Sequence, residues 1–214
     1  EIFRQEGWNY HLEQKEGPLK YNGVVYNEMK GAFSSPDEVL EREIMNHLFP
    51  DTTYGCESGG DPKNIPDLTY ENFLNFHRTY YHPSNSYIYL YGNMDMEEKL
   101  AFLDEHYLSH FDYLDVDSVI QEQKAFGACQ DVTLEYPVAE NEGEEDNTYL
   151  SYNMVVGNAA DSQMAMAFEV LDYALLSAPG APLKQALLDV KAGKDVYGSY
   201  DDGILQPYFT VIAD

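Results

Sequence analysis

Positive charge is scarce in this sequence. Twelve lysines and arginines stand against 38 aspartates and glutamates, giving a formal net charge of -26. Nucleic-acid binding needs a basic footprint, and none exists here. Attraction to an anionic membrane surface is excluded on the same ground. Two readings of the acid surplus stay open: a surface or chamber that tolerates basic peptides, and plain solubility. Cysteine is almost absent. Cys56 and Cys129 are the only two, and no short metal-type spacing joins them. They point to a reduced, cytoplasmic-type protein, with a single disulfide between them as the alternative. Long apolar runs are missing too, so no segment reads as a bilayer-spanning helix. The chain opens on Glu1 in what reads as mid-strand, so the lack of a leader says nothing about the parent protein.

Aromatic side chains, by contrast, are plentiful. Their 14% share and the 44% hydrophobic content exclude a disordered chain. Nineteen tyrosines suit strands and half-wet surfaces. A length of 214 residues allows one large domain or two small ones with a real core.

Local patterns predict a mixture of helices and strands. A strand is expected over 3–13, with Phe3, Trp8, Tyr10 and Leu12 as its apolar members and Gly7 as a bulge. Asn22 is the expected N-cap of a helix over 23–33. Ser35-Pro36-Asp37-Glu38 is a second start signal, a cap followed by proline and acids in the first turn. Leu40, Ile44 and Leu48 then repeat every four residues, so one long helix broken near Ser34 or two helices end to end are expected. A Gly/Pro/Asp-rich loop fills 50–66. Thr69 caps a helix to about 81, stopped by His82-Pro83. A strand over 86–91 and a helix over 96–111 follow. The acidic, weakly patterned stretch 112–124 reads as a linker. Beyond it come a strand over 132–136, an acidic loop over 140–147 and a strand over 149–156. A long helix over 161–176, a shorter one over 182–190 and a strand over 208–212 complete the pattern.

One carboxylate stands out. Helical spacing puts Val25, Glu28, Met29 and Ala32 on one face, so Glu28 sits inside an apolar stripe. Either the stripe's edge lets it reach water or a lysine, or it is neutral, paired or bound to a metal. Other chemistries find no support. Neither H-x-x-E-H nor H-E-x-x-H occurs. Of His11, His47, His77, His82, His106 and His110, only His106 and His110 have the one-turn spacing of a metal pair. They lie beside the apolar face of their helix and read as surface histidines. There is no G-x-S-x-G elbow. Ser58-Gly59-Gly60 lacks the lysine of a phosphate loop. Asp112, Asp115 and Asp117 do not match a calcium loop. The acids of 142–146 read as a solvated hairpin loop rather than a metal site.

The wording of the first hundred residues resembles the pitrilysin/insulinase family of zinc metallopeptidases, in its presequence-protease branch. The resemblance is carried by Tyr21-Asn22-Gly23-Val24-Val25-Tyr26-Asn27-Glu28-Met29-Lys30-Gly31 and by Ser34-Ser35-Pro36-Asp37. It continues in Leu48-Phe49-Pro50-Asp51-Thr52-Thr53-Tyr54-Gly55 and Ser58-Gly59-Gly60-Asp61-Pro62. It closes on Phe76-His77-Arg78 and Tyr80-Tyr81-His82-Pro83-Ser84-Asn85. Members of that family hold zinc with two histidines of an inverted H-x-x-E-H helix and a distant glutamate. The resemblance makes Glu28 that distant metal ligand. It places the two histidines and the general base upstream of Glu1, and it implies no catalytic residue in this chain. It further implies an α+β fold, with mostly antiparallel sheets and helices packed on one face, made of parts of two peptidase-type domains. Residues 1–115 would be the later half of the catalytic domain, 116–127 a linker, and 128–214 the opening half of a second, non-catalytic domain. The long helix over 161–176 carries no histidine, as suits a metal-free copy. The parent protein would be a zinc endopeptidase acting on unfolded peptides, with the remaining domains of its own chain as partners. The present chain would be inactive alone. The alternative is a structural or interaction member of the same fold family that has lost the zinc site.

Overall fold

Helix caps and tight glycines decide where the first elements begin. The computed structural model describes residues 2–138 and 147–214, so the expected acidic loop over 140–147 lies outside the described residues except for Asn147. The expected strand over 3–13 is split. Ile2–Glu6 forms a short helix (α1), closed by the Gly7 amide donating to the Phe3 carbonyl at 3.0 Å. The Phe3 ring rests on Tyr70 and Phe73, with centroids 5.2 and 5.3 Å away. That contact holds Phe3 in a turn rather than a ladder. Only Asn9–His11 (β1) is strand, paired antiparallel with Lys20–Asn22 (β2) so that Tyr10 faces Tyr21. Trp8 meets both tyrosines edge-on and donates its indole N–H to the Leu68 carbonyl at 3.2 Å.

Helix α2 (Val24–Ala32) is capped by Gly23, not by Asn22. Gly23 has φ +154, and a Cβ there would lie 2.8 Å from both the Gly7 carbonyl oxygen and Trp8 Cα. Only glycine lets the helix start so close to that backbone. Helix α3 (Pro36–Leu48) is separate from α2 and starts as its sequence requires, with Ser35 Oγ accepting from the Glu38 amide at 3.2 Å. Helix α4 (Tyr70–Tyr80) carries a full capping box between Thr69 and Asn72. Helix α5 (Met96–His106) ends in a 3-10 turn, Leu108–His110. The expected strands over 86–91 and 132–136 do not form. A strand needs a partner, and neither segment has one among the described residues. Tyr87, Tyr89 and Tyr91 project into solvent. Among the described residues, Tyr136 is anchored by its hydroxyl, which donates to the Asn147 carbonyl at 2.6 Å, and by an edge-on contact with Tyr149.

The later part is a packed α+β unit. Leu150–Val155 (β3) leads to helix α6 (Ser162–Asp172), whose N-cap Asp161 accepts from the amides of Gln163 and Met164. The helix runs on into a π-helical turn, Tyr173–Ser177, before helix α7 (Pro182–Asp189). Val196–Asp201 (β4) and Tyr208–Ala213 (β5) complete an antiparallel sheet of order β3-β5-β4. Strand β4 has no counterpart among the sequence expectations, because Gly198 interrupts its alternation. Gly198 is required: a Cβ would lie 2.1 Å from the Thr210 carbonyl oxygen and 2.8 Å from Leu176 Cδ1.

Alternation along β5 sends Phe209, Val211 and Ala213 to one face, where Leu176, Val196 and Phe168 pack against them. Tyr208 and Ile212 point to the other, where Ile44, Leu48 and Phe49 of the α3 end cover them. Helices thus lie against both faces of this sheet, and the first hundred residues share a core with the last hundred.

Candidate functional site

Glu28 sits on α2, as the sequence predicts. The helix is fixed by neighbours on either side. Asn27 Nδ2 donates to Asn22 Oδ1 at 2.9 Å, and Tyr26 lies against Tyr21 with ring centroids 6.0 Å apart. Met29 covers Gly59, where a Cβ would come within 2.2 Å of its sulfur. Of the two readings open for Glu28, the structure has it at the edge of the stripe, in reach of water. Helix α2 buries no residue, Val24 and Val25 are exposed, and so is Glu28. Its carboxylate makes no hydrogen bond or ion pair among the described residues. The reason is geometric. Only Met29 and Ala32 of the stripe turn partly toward the rest of the chain, and nothing described covers the Val25–Glu28 side.

The histidines do not converge on this carboxylate. His106 packs on the Phe102 ring at 4.7 Å, and His77 stacks on Tyr81 at 4.9 Å. His82 accepts from the Ser84 amide through Nδ1 at 3.2 Å, and His47 Nδ1 lies 2.7 Å from the Glu43 carbonyl oxygen. Among the described residues no group of three or more His, Cys, Asp or Glu is placed to hold a metal ion. Catalytic zinc takes three protein ligands and one open position. The described residues of this chain by themselves do not fit that ion.

Polar chemistry concentrates elsewhere, around Gln123, which the sequence assigns to a linker. Gln123 is buried. Its Oε1 accepts from the Asp51 amide at 2.9 Å and its Nε2 donates to Asp51 Oδ2 at 2.8 Å. Its backbone amide donates to Gln206 Oε1 at 2.5 Å, and its carbonyl accepts from Gln206 Nε2 at 3.2 Å. No periodicity marks such a residue. Gln121, two residues earlier in the same acidic stretch, is exposed, so residue type did not single Gln123 out.

Titrating groups line both faces of the sheet. Burial pushes the Tyr197 hydroxyl well up, helped by Asp37, to which it donates at 3.1 Å. Burial, with Asp201 beside it, pushes Tyr208 up to about 12. Burial raises the Asp172 carboxyl, whose Oδ1 has no partner. The hydrogen bond from Lys184 holds the Asp195 carboxyl below its ordinary value. A cavity of about 390 Å³ opens between the π-helical turn, α7 and β4, but its lining brings no catalytic set together. Cys56 and Cys129 are both free and exposed. No helix among the described residues is long and apolar enough to cross a membrane.

Residues 67–214, well over half of the chain, match the family model described as "Peptidase M16 inactive domain". Protein HypA of Clostridium perfringens is 53% identical over 212 residues, covering 99% of this chain and 22% of its own length. Presequence protease 1, chloroplastic/mitochondrial, of Arabidopsis thaliana is 39% identical over 213 residues, covering 98% and 20%. Presequence protease, mitochondrial, of Xenopus laevis is 36% identical over 197 residues, covering 90% and 19%. The chain therefore spans about a fifth of the length of these relatives. Two solved structures share the fold. An M16-like peptidase from Alicyclobacillus acidocaldarius superposes with a TM-score of 0.52 at 17% identity, over 88% of this chain and 44% of its own. A chain of Complex III2 from Candida albicans does so with a TM-score of 0.58 at 14% identity, over 89% and 46%.

Proposed function

The chain belongs to the M16 peptidase family, and from that membership we propose that it is a stretch of a larger zinc-dependent endopeptidase of unstructured peptides. In this reading Glu28 is the distant zinc ligand of the whole protein, and the chain is inactive alone. One observation carries it: Glu28 is presented on an exposed, partly apolar helix face with its carboxylate uncommitted. A carboxylate held that way costs little while solvated and is available to a cation brought by a covering surface. Residues 1–115 then belong to the metal-side domain, 116–127 connect, and 128–214 open the non-catalytic domain. Unfolded peptides are the substrates and the remaining domains of the parent chain the partners. The two exposed thiols support a reducing, cytoplasmic-type compartment.

A second reading keeps the fold without the chemistry. The description of the matched model as an inactive domain, and the Complex III2 chain among the structural relatives, favour a structural role. One substitution separates the two. In the full-length protein, Glu28→Gln keeps size and packing but removes the charge a divalent ion takes from its third ligand. Zinc content and turnover of an unfolded peptide are expected to fall by at least ~10–100-fold, the range seen when even a supporting partner of a ligand is lost. The thermal midpoint without metal is expected to stay where it was. Full zinc and full turnover in the variant would end the peptidase role of Glu28 and leave the structural reading.

A further inference from the structure

Between residues 66 and 155, Gln123 is the one buried side chain among the described residues. It lies in a segment with no regular structure, which an acidic composition marks as a loose tether. We propose that Gln123 is a positioning residue. It bolts the strap around residues 122–124 between the end of α3 and the start of β5. The α2–α3 helices and the β3-β5-β4 sheet are thereby held in one fixed relation.

The inventory of its bonds supports this. A glutamine side chain offers one carbonyl acceptor and two N–H donors. Here the acceptor takes the Asp51 amide, one donor goes to the Asp51 carboxylate, and the Lys124 carbonyl lies 3.4 Å from the same nitrogen. The backbone of Gln123 is used as fully, with its N–H and C=O both paired to the Gln206 amide. Each of the two contacts is thus a closed, two-bond pair, which fixes orientation as well as distance. The partners are well placed for a lock. Asp51 follows the fully buried Phe49 at the end of α3, and Gln206 precedes the fully buried Pro207 at the start of β5. Two flanking bonds reinforce it. Tyr54 Oη accepts from the Leu205 amide at 3.1 Å, and Asn158 Nδ2 donates to Glu122 Oε1 at 2.5 Å. Three segments far apart in sequence therefore meet around one buried amide. The bonds are part-buried around one buried amide, so removing a partner leaves that amide unsatisfied at its place.

The lock does not require Glu28 to be a metal ligand. Its effect on peptide turnover does rest on that reading, because only then does the placement of α2 matter to chemistry. Lys124 supplies the probe. It is exposed, adjoins Gln123, and is the only lysine or arginine between Lys99 and Lys184, so tryptic nicking there has a single signature.

The experiment compares the full-length protein with Gln123→Ala, Gln123→Glu and the double variant Gln123→Glu/Asp51→Asn. The wild type is expected to resist nicking after Lys124. Both single variants are expected to be nicked at least about tenfold faster, as loss of a satisfied buried pair implies. In Gln123→Glu the new carboxylate opposes Asp51 Oδ2. In the double variant the amide introduced at position 51 donates to that carboxylate, and nicking returns toward the wild-type rate. Peptide turnover is expected to fall and recover in step. Thermal midpoints taken alongside report global unfolding, and recovery in the double variant decides the matter even if a single variant is unstable. Wild-type nicking in Gln123→Glu, or a double variant as labile as the single one, overturns the lock. Recovery of nicking with turnover indifferent to every variant overturns the positioning role. Failure of the Glu28 reading shows instead as full activity in Glu28→Gln with the lock intact.

Discussion

Strand β5 and helix α4 carry apolar residues in equally regular patterns, yet they end in opposite surroundings. In β5, Tyr208 and Phe209 are buried on opposite faces because α3 covers one side of the sheet and α6 with the π-helical turn covers the other. In α4, Phe73, Phe76 and Tyr80 recur at three- and four-residue spacing, and all three are exposed. Helices α2 and α5 likewise bury nothing. A periodic stripe states which side chains share a face. Whether that face is dry depends on a second surface, and for the α2, α4 and α5 region the described residues provide only local contacts such as Phe3 on Tyr70 and Phe73. The chain spans about a fifth of its relatives' length.

Three substitutions break or sharpen this contrast. Phe49→Ala should have the largest effect. The side chain is fully buried, and its ring meets Tyr54 and Tyr208 at centroid distances of 5.9 and 6.2 Å. A loss of about 3–5 kcal/mol in denaturant unfolding is expected. A loss below 1 kcal/mol would mean that α3 and the sheet do not share a core.

Asp172→Asn should act in the opposite direction and more weakly. Burial raises this carboxyl in the folded protein, so the folded state holds its proton more tightly than the unfolded state. Stability then declines as pH rises from the ordinary aspartate range through the raised value. The asparagine variant should therefore be more stable by about 1 kcal/mol or less at neutral pH. The gain should vanish in acid, where both carboxyl forms are protonated. Thermal melts across pH check the crossover, and a gain that persists in acid would assign the effect to packing.

Phe76→Ser should have the smallest effect in the 214-residue chain, within about 0.5 kcal/mol as for other uncovered positions. In the full-length protein the same change is expected to cost distinctly more, because a covering surface would make the position interior. Equal, small effects in both would leave α4 a solvent-facing helix and remove the asymmetry described above.

Local chemistry was the most legible part of the fold. The Ser35, Thr69 and Asp161 caps each depend on a side chain and a backbone amide two or three residues away, so their helices start where expected. The resemblance in residues 21–85 was equally readable, and presequence proteases stand among the relatives. Segments whose shape depends on distant partners were not readable. Phe3 was drawn into a helix by Tyr70 and Phe73, and 86–91 and 132–136 stayed unpaired. Strand β4 escaped notice because Gly198 is there to admit the Thr210 carbonyl and Leu176, a requirement set by neighbours. For Glu28 the helix and the face were legible, and the choice between water at the stripe's edge and burial was left to the structure. Gln123 was invisible for a similar reason, since its partners Asp51 and Gln206 lie more than seventy residues away on either side.

The π-helical turn Tyr173–Ser177 has a consequence for how this gene tolerates change. Such a turn holds one residue more than the α-helical path between the same end points. Removing a single codon there would let α6 continue as a plain α-helix, but every later side chain would swing by about 100° around the axis. Leu176, buried against Gly198, would leave its seat and a neighbour would be driven into it. The extra residue thus sets the reading phase of the helix against the sheet. In-frame deletions within 173–177 are expected to disappear from any library screened for folded protein.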